Sequence, residues 1–497
     1  MGIPREAYQT LQSIVGPEWV SDDPAICEAD RYCSLSSPSD EQRRPGCSIE
    51  PASTEEVQGI VRVANRYKLP FVCTSTYYSP GTFCKRDDSI LIDLKRMNKI
   101  EIDEENLYAI VGPGVAFSAL QADMLKRGII TFVPGCGGNS SVLANTVNMG
   151  DAPLGWRYGL GYQRLLGVEW VLPNGELLRM GSLSMANDYF WGEGPGPDLR
   201  SLLRGCAGHQ SRMGVVTKIG VKVFPFVSEE LEPEGWAFHS FMKLPPNRFK
   251  WYNIRFYSRE DAINAMFEIG KSEIGLVVMT VPPIFRSVAR TRGVGCGGFW
   301  EAWKEAGPKV KPNQEDLRVL LYGIGSDKRL EYEEKVLLDI VADYGGSARE
   351  APCRDETNFM AADAICANVV GGRFSSEVSY ESINHAVRYS RVVNEITDKH
   401  RPPILEDYGT TNWVCPYELG YIAKMECLRM AAVEHRDALT RWNEDCHEAC
   451  AKGGAYTLMP DAELFGPVWG NYPEKEDKIR KAFDPNNVSA PGEIKHI

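Results

Sequence analysis

The chain has 497 residues, of which 43% are hydrophobic and 25% charged, and a net charge of −12. These proportions exclude a mainly disordered, collagenous or coiled-coil chain. The acidic balance (sequence pI near 5.3) excludes the basic footprint of a nucleic-acid binder and an affinity for anionic membrane surfaces.

At about 150 residues per domain, two to four domains are expected. No run approaches the roughly 20 apolar residues of a spanning helix. The opening segment MGIPREAYQTLQSIVG has no long apolar run and no small-residue cleavage site. Glu6 stands where a myristoylation motif wants Ser or Thr. A cytoplasmic protein is expected, with no membrane and no nucleic-acid partner. The 14 cysteines are scattered without a C-x-x-C pair, so buried free thiols are expected. Cys446 and Cys450, at i and i+4, share a helix face. They read as small hydrophobes of a packed helix or as half of a metal site.

In chain order, STEEVQGIVRVANRY (53–67) opens with a capping-type Ser and continues at helical period. LPFVCTS (69–75) reads as a strand. SILIDLKRMNKI and YAIVGPGV read as two more, and Phe117–Arg127 as a helix ending at Gly128. LLGVEWVLPNGELLRMG reads as a hairpin around Pro173-Asn174-Gly175, followed by strand signal in MGVVTKIGVKVFPF. From Val227 the acidic, Pro-rich SEELEPEGWAFHSFMKLPPN reads as a boundary linker. IGLVVMTV and LRVLLYGIG read as strands beyond it, and EYEEKVLLDIVADYGG as an amphipathic helix. Residues 381–398 and 418–451 read as helices, as does the segment before Asp484-Pro485. The fold class is α+β.

The chemically densest stretch is VPGCGGNSSVLANTVNMGDAPLGWR (133–157). Glycine admits a ligand close to the backbone and frees N–H groups to face an anion. Gly135, Gly137, Gly138, Asn139, Ser140 and Ser141 supply such groups, which suits either a pyrophosphate cradle or a plain surface loop. There is no G-x-G-x-x-G dinucleotide fingerprint and no Walker A motif.

Four ordered blocks resemble the flavoenzyme family of vanillyl-alcohol oxidase and p-cresol methylhydroxylase. They are SILIDLKRMNKI with YAIVGPGVAFSALQADMLKRGI; VPGCGGNSSVLANTVNMG; LLGVEWVLPNGELLRMG with MGVVTKIGVKVFP; and KAFDPNNVSAPGEI. The resemblance implies a two-part FAD-binding domain, the N-terminal region (1–226) plus a returning C-terminal segment (456–497), with an inserted α+β cap (227–455) over the flavin. It implies cofactor contacts at Thr74, Ser75, Thr76, Tyr77, Tyr78 and Ser79, where the family's first phosphate loop lies. It implies further contacts at Pro113 and Gly114; at Pro134, Gly135, Gly137, Gly138, Asn139, Ser140, Ser141 and Asn145 of the second loop; and at Gly214, Val215 and Val216. The first loop, TSTYYSPGT, holds fewer glycines than the family pattern.

Arg373 occupies the place of the family's flavin-attaching His, and no His lies in the first loop, so non-covalent FAD is implied. Arg373 would face the electron-rich edge of the reduced ring. Tyr456 matches a phenolate-binding Tyr, with Thr457 in place of the following Arg. Cys136 lies near the family's active-site Asp. Tyr456, Arg373 and Cys136 are therefore the candidate catalytic residues, with no metal. His209, Tyr77, Tyr78 and Tyr408 are further pocket candidates.

The implied activity is hydride transfer from a small aromatic or phenolic alcohol-type substrate to flavin, reoxidised by oxygen or another electron acceptor, in a homo-oligomer such as a dimer. The alternatives are a D-2-hydroxy-acid dehydrogenase of the same fold, disfavoured by the absence of a close His pair in the cap, and a flavin-binding subunit of an electron-transfer complex.

Overall fold

The computed structural model describes residues 2–31, 43–77, 84–134, 137–148, 150–181, 198–204, 212–227, 231, 233–234, 241–284, 287, 296–311, 314–355, 373–409, 412–453, 455 and 470–491. Its elements alternate between helices and sheets, as the α+β reading requires.

The N-terminal sheet has the strand order Val20–Ser21, Cys47–Ile49, Ile90–Asp93, Phe71–Thr74. Its last three strands run parallel. Helix Thr54–Tyr67 covers one face. Ser53 caps it by accepting from Glu56 N at 3.2 Å, and Glu56 Oε2 returns the contact to Ala52 N at 2.7 Å. The helix buries Val57, Ile60, Val61 and Ala64 against Phe71, Ile90 and Ile92.

The C-terminal segment joins this sheet. Phe71 N donates to Val488 O and Ala490 N to Phe71 O, both at 2.8 Å. Asp484 holds the segment by accepting from Val488 N and Ser489 N. Ser489 Oγ accepts from Gly214 N at 2.8 Å. Thus residues 484–490 tie two sheets together, as the two-part first domain expected from the sequence requires.

The second sheet is antiparallel, in the order Ile100–Asp103, Tyr108–Val111, Val215–Lys222, Leu165–Val171, Leu177–Met180. Leu165–Val171 is buried along its whole length. Val171 and Val215 face the N-terminal core, while Val168, Trp170 and Val216 face a second core.

The cap holds a four-stranded antiparallel sheet, in the order Val277–Thr280, Glu315–Tyr322, Phe249–Phe256, Ser347–Ala351. Beside it lies a three-stranded one, in the order Arg373–Glu381, Ile422–Ala431, Asn412–Tyr417. Val414 N donates to Thr280 Oγ1 at 2.7 Å, joining the two. Helices Arg259–Lys271, Asp327–Asp343, Ile383–Lys399 and Arg436–Gly453 share one core with them. Cys446 and Cys450 are buried in that core. Among the described residues, no group of three His, Cys, Asp or Glu side chains could hold a metal. No described helix is long and apolar enough to cross a membrane.

Three sequence expectations need correction. The helix expected over 418–451 is a strand, Ile422–Ala431, followed by helix Arg436–Gly453. The sequence IAKMECLRMA is rich in helix formers, but strand pairing on both sides outweighs that weak local preference. The boundary linker contains the short strands Pro233–Glu234 and Phe241–Lys243, which pair with each other. The helix from Phe117 ends at Leu125 rather than Arg127, with Gly128 beyond it at φ +68°.

Candidate active site

Three backbone segments stack tightly beneath the second glycine-rich loop. Gly114 N donates to Met97 O at 3.0 Å and Gly112 N to Lys99 O at 3.1 Å. A Cβ on Gly112 would lie 2.2 Å from Met97 O, and one on Gly114 2.5 Å from Lys95 O. Only glycine permits that approach. Pro113 between them accepts from Ser141 Oγ at 2.6 Å, and the same oxygen caps helix Val142–Val147 by accepting from Ala144 N. Phe117 N donates to Ser140 O, Ser118 N to Gly138 O and Val142 N to Val115 O. The loop is therefore fixed to the Pro113-Gly114 turn, with Gly137 at φ +142°. Asn145 lies half-buried on the helix that follows.

This arrangement fits a dinucleotide cofactor. The backbone N–H groups of Ser75, Thr76 and Gly138 donate to no carbonyl among the described residues. The buried Thr146 hydroxyl has no partner among the described residues. Arg164 packs its guanidinium over the Phe132 ring and donates weakly to Thr131 Oγ1 at 3.4 Å, leaving Nε and Nη2 unpartnered. Burial without a carboxylate pulls its pKa well below the ordinary arginine range. Thr131 and Phe132 lead directly into Pro134. The structure thus places unsatisfied polar groups where the loop begins and ends.

The first loop begins at Thr74, whose carbonyl accepts from Leu94 N at 2.9 Å. Ser75, Thr76 and Tyr77 follow, half-buried, with Tyr77 at φ +52°. The Tyr77 ring packs against Val72, Cys84, Leu91 and Ala490. Burial, then the charges of Asp93 and Asp30, raise its phenol pKa. Gly214 (φ +98°) starts the strand carrying Val215 and Val216; a Cβ there would lie 2.2 Å from Val171 O. Tyr78, Ser79, Gly135, Cys136, His209 and Tyr456 lie outside the described residues, as does the Arg373 side chain. The Arg373 backbone opens strand Arg373–Glu381, paired with Ala431. Tyr408 is 44% exposed beside Trp303, so it lines no interior pocket.

The cap meets the FAD-binding domain along the segment that follows the second loop. Trp156 is fully buried and donates Nε1–H to Ile274 O at 2.9 Å. Arg157 donates to Gly275 O and Glu273 O, both at 3.1 Å. Gly155 lies flat against Tyr417, where a Cβ would come within 2.5 Å of the ring.

Strand alternation decides what faces this seam. Ala423, Met425 and Cys427 of strand Ile422–Ala431 pack into the cap core. Lys424 and Glu426 take the other face. Lys424 is in register with Tyr380 and Cys415, and Glu426 with Val378 and Trp413. Cys415 and Tyr417 belong to the FAD-domain core, with Tyr380 and Trp413 packed against it.

From the FAD-binding domain, Asp151 reaches across to this face. Lys424 Nζ lies 2.9 Å from Asp151 Oδ2, 2.8 Å from Glu426 Oε2 and 4.9 Å from the Trp413 ring centre. Burial opposes the ammonium charge, but the attraction of Asp151 and Glu426 outweighs it and holds Lys424 well above its ordinary pKa. Burial also pushes the Cys415 thiol up to about 12 and raises the Tyr417 phenol well above its ordinary value. The Tyr417 hydroxyl, fully buried beside Cys415, meets no oxygen or nitrogen partner.

Sequence reasoning missed Asp151, Lys424, Glu426, Trp413 and Tyr380. Read at helical period, Lys424 and Glu426 point roughly opposite ways; read at period two, they share a face.

Residues 45–181 match the model of an FAD-binding domain family. The chain is 27% identical to the flavoprotein subunit of 4-cresol dehydrogenase (hydroxylating) from Pseudomonas putida, over 98% of this chain and 94% of that one. Its fold superposes on p-cresol methylhydroxylase with substrate bound (TM-score 0.74, 19% identity), covering 99% of this chain and 97% of that one. These matches support the resemblance to the flavoprotein family of vanillyl-alcohol oxidase and p-cresol methylhydroxylase. It is an FAD-dependent oxidoreductase. Other similar proteins show the breadth of this flavoprotein fold. The 4-ethylphenol oxidase of Gulosibacter chungangensis superposes equally well (TM-score 0.74, 19% identity, 99% of this chain and 97% of that one). The glycolate oxidase subunit GlcD of Bacillus subtilis is 29% identical over 45% of this chain and 46% of its own.

Proposed function

We propose that this flavoprotein oxidises a small, neutral aromatic or phenolic alcohol-type substrate by hydride transfer to non-covalently held FAD. The observation that carries the substrate class is the face of the cap sheet. It presents Trp413 and Tyr380, beside a cluster of two carboxylates and one ammonium. Aromatic rings supply apolar contact for a ring-bearing substrate. A cluster with one negative charge in excess repels a carboxylate, which weighs against a 2-hydroxy acid. FAD, when bound, accepts the hydride. The chain's own part is to orient the substrate, shield it from water and hold its hydroxyl proton.

The reading extends to the domain limits. Phe224–Pro225 still pairs with Ile129–Ile130, whereas Phe241–Lys243 pairs with Arg354–Asp355. That supports 1–226 as the first part of the FAD-binding domain, 227–455 as the cap and 456–497 as the returning segment. Tyr456 and Cys136 remain proposed substrate-side residues by resemblance, and Arg373 a proposed charge partner of the reduced flavin. Oxygen or another electron acceptor and a dimeric, cytoplasmic protein complete the proposal.

Anaerobic mixing of the purified holoenzyme with 4-hydroxybenzyl alcohol and with D-2-hydroxy acids tests the substrate class. Bleaching of the flavin band by the alcohol is expected; bleaching by the acids alone overturns the reading. Acid precipitation should release the yellow colour to the supernatant, and a yellow pellet would overturn non-covalent attachment.

A further inference from the structure

We infer that the Asp151–Lys424–Glu426 cluster is the substrate's hydroxyl-binding group, taking up its proton and selecting a neutral O–H donor against a carboxylate. The inference rests on the alcohol reading above and assigns it to residues that no resemblance pointed to.

The geometry carries it. Asp151 and Glu426 each spend one oxygen on Lys424, at 2.9 and 2.8 Å. The second oxygen of each, Asp151 Oδ1 and Glu426 Oε1, has no hydrogen-bond partner among the described residues, and neither side chain is sealed: 20% and 16% stay exposed. An ion pair built only to lock two domains together closes its acceptors with donors, because an unmet carboxylate oxygen near low-dielectric surroundings is costly. Here two acceptors stay open beside the aromatic side chains of Trp413 and Tyr380. A third polar group on the same face is the Tyr417 hydroxyl, fully buried beside the Cys415 thiol and near Asp151, with no oxygen or nitrogen partner among the described residues.

The titratable and charged groups around the cluster are Asp151 from the FAD-binding domain and Tyr380, Cys415, Tyr417, Lys424 and Glu426 from the three cap strands. With Lys424 protonated, the cluster carries one excess negative charge and accepts rather than donates. As the alcohol is oxidised, its O–H bond breaks and the proton passes to a free carboxylate oxygen. FAD, when bound, would accept the hydride from the adjacent C–H bond as the carbonyl forms, while the cluster keeps the hydroxyl proton.

The test is a binding titration that needs no turnover. Phenol, which has no oxidisable carbon, and benzoate are titrated separately into the holoenzyme at pH 7, and the perturbation of the flavin absorption band is recorded. Wild type should prefer phenol. The isosteric double variant Asp151→Asn/Glu426→Gln changes the cluster from one excess negative to one excess positive charge, so the benzoate-to-phenol preference should rise on the order of tenfold or more. Lys424→Arg, which keeps the charge, should leave the preference near that of wild type. A preference unchanged in the double variant overturns the inference and leaves the cluster a domain tie; so does a wild type that prefers benzoate or binds neither probe. If the preference shifts as expected but phenolic alcohols fail to bleach the flavin, the cluster stands as a hydroxyl site and the alcohol reading falls.

Discussion

Two carboxylate clusters in this molecule, one buried and one half-buried, look alike in composition and differ in how they are closed. Glu169, in the middle of strand Leu165–Val171, accepts from Thr54 Oγ1 at 2.7 Å, Thr217 Oγ1 at 3.2 Å and Arg179 Nε at 2.8 Å, with Lys218 Nζ 3.8 Å away. Both of its oxygens are met. Burial opposes the charge, yet these contacts hold the Glu169 carboxyl below its ordinary pKa. Its partners come from helix Thr54–Tyr67 and from neighbouring strands of one domain. The Asp151–Lys424–Glu426 cluster instead spans two domains and leaves an oxygen of each acid unmet. A closed cluster is scaffold. An open one, where the cap meets the FAD-binding domain, is the observation on which the proposed hydroxyl site rests.

The comparison breaks most visibly at Lys424. Lys424→Met leaves two carboxylates a few ångströms apart with no cation between them, and removing one partner of such a buried group costs about 3–5 kcal/mol. Chemical denaturation at pH 7 should show a loss of that order. The pairing has a definite pH signature. The folded-state pKa of Lys424 is raised, so its stabilisation is fully present below the ordinary lysine value and is lost as pH climbs through the higher folded value. The gap between wild type and variant should therefore be constant from neutral to mildly alkaline pH and narrow only above the ordinary lysine pKa. A loss under about 1 kcal/mol at pH 7 would mean that water already screens the pair.

Glu169→Gln should cost less, about 2 kcal/mol, because the threonine hydroxyls keep an acceptor and the cations left behind reach solvent. Arg179 is 52% and Lys218 32% exposed on their side chains. Here the sign is reversed. The Glu169 pKa is lowered, so its stabilisation is present above the ordinary glutamate value and disappears as pH falls through the folded value. Unfolding curves of wild type and variant should converge in acid and separate at neutrality. Flavin content and substrate response should be unchanged, in contrast to the altered ligand preference expected of the Asp151→Asn/Glu426→Gln double variant.

The same contrast explains what the sequence discloses. The FAD-binding domain is legible because its chemistry is local. The glycines at 112, 114 and 137 stand where backbones touch or turn, and the cap at Ser53, the turn at Gly175 (φ +84°) and the alternating strands are written within a few residues of one another. The seam is not local. Asp151 and Lys424 are 273 residues apart in sequence, and nothing near either announces the other. Eight of the ten residues of the strand that carries Lys424 and Glu426 are Ala, Lys, Met, Glu, Leu or Arg, which favour helix, and its pairing with Arg373–Glu381 and Asn412–Tyr417 makes it extended. Taking it for a helix separates the two charged side chains and hides the site. Period-two alternation of charged and apolar residues from Ala423 to Cys427 was the available signal.

The smallest effect belongs to Arg179, and it separates closure from charge. Arg179→Met removes a cation from Glu169 just as Lys424→Met removes one from Asp151 and Glu426. If ionic pairing alone governed stability, the two losses would be similar. But the Arg179 side chain is half exposed, so water screens its attraction and partly replaces it. Glu169 also keeps Thr54, Thr217 and Lys218. The expected loss is about 0.5 kcal/mol, seen as a shift of roughly a degree or less in thermal midpoint for a chain of this size. Raising the salt concentration should shrink it further, whereas the Lys424→Met loss, between shielded groups, should hardly respond to salt. Equal losses or equal salt dependence would show that the open cluster is no more isolated from water than the surface, and that the two carboxylate sites differ only in address.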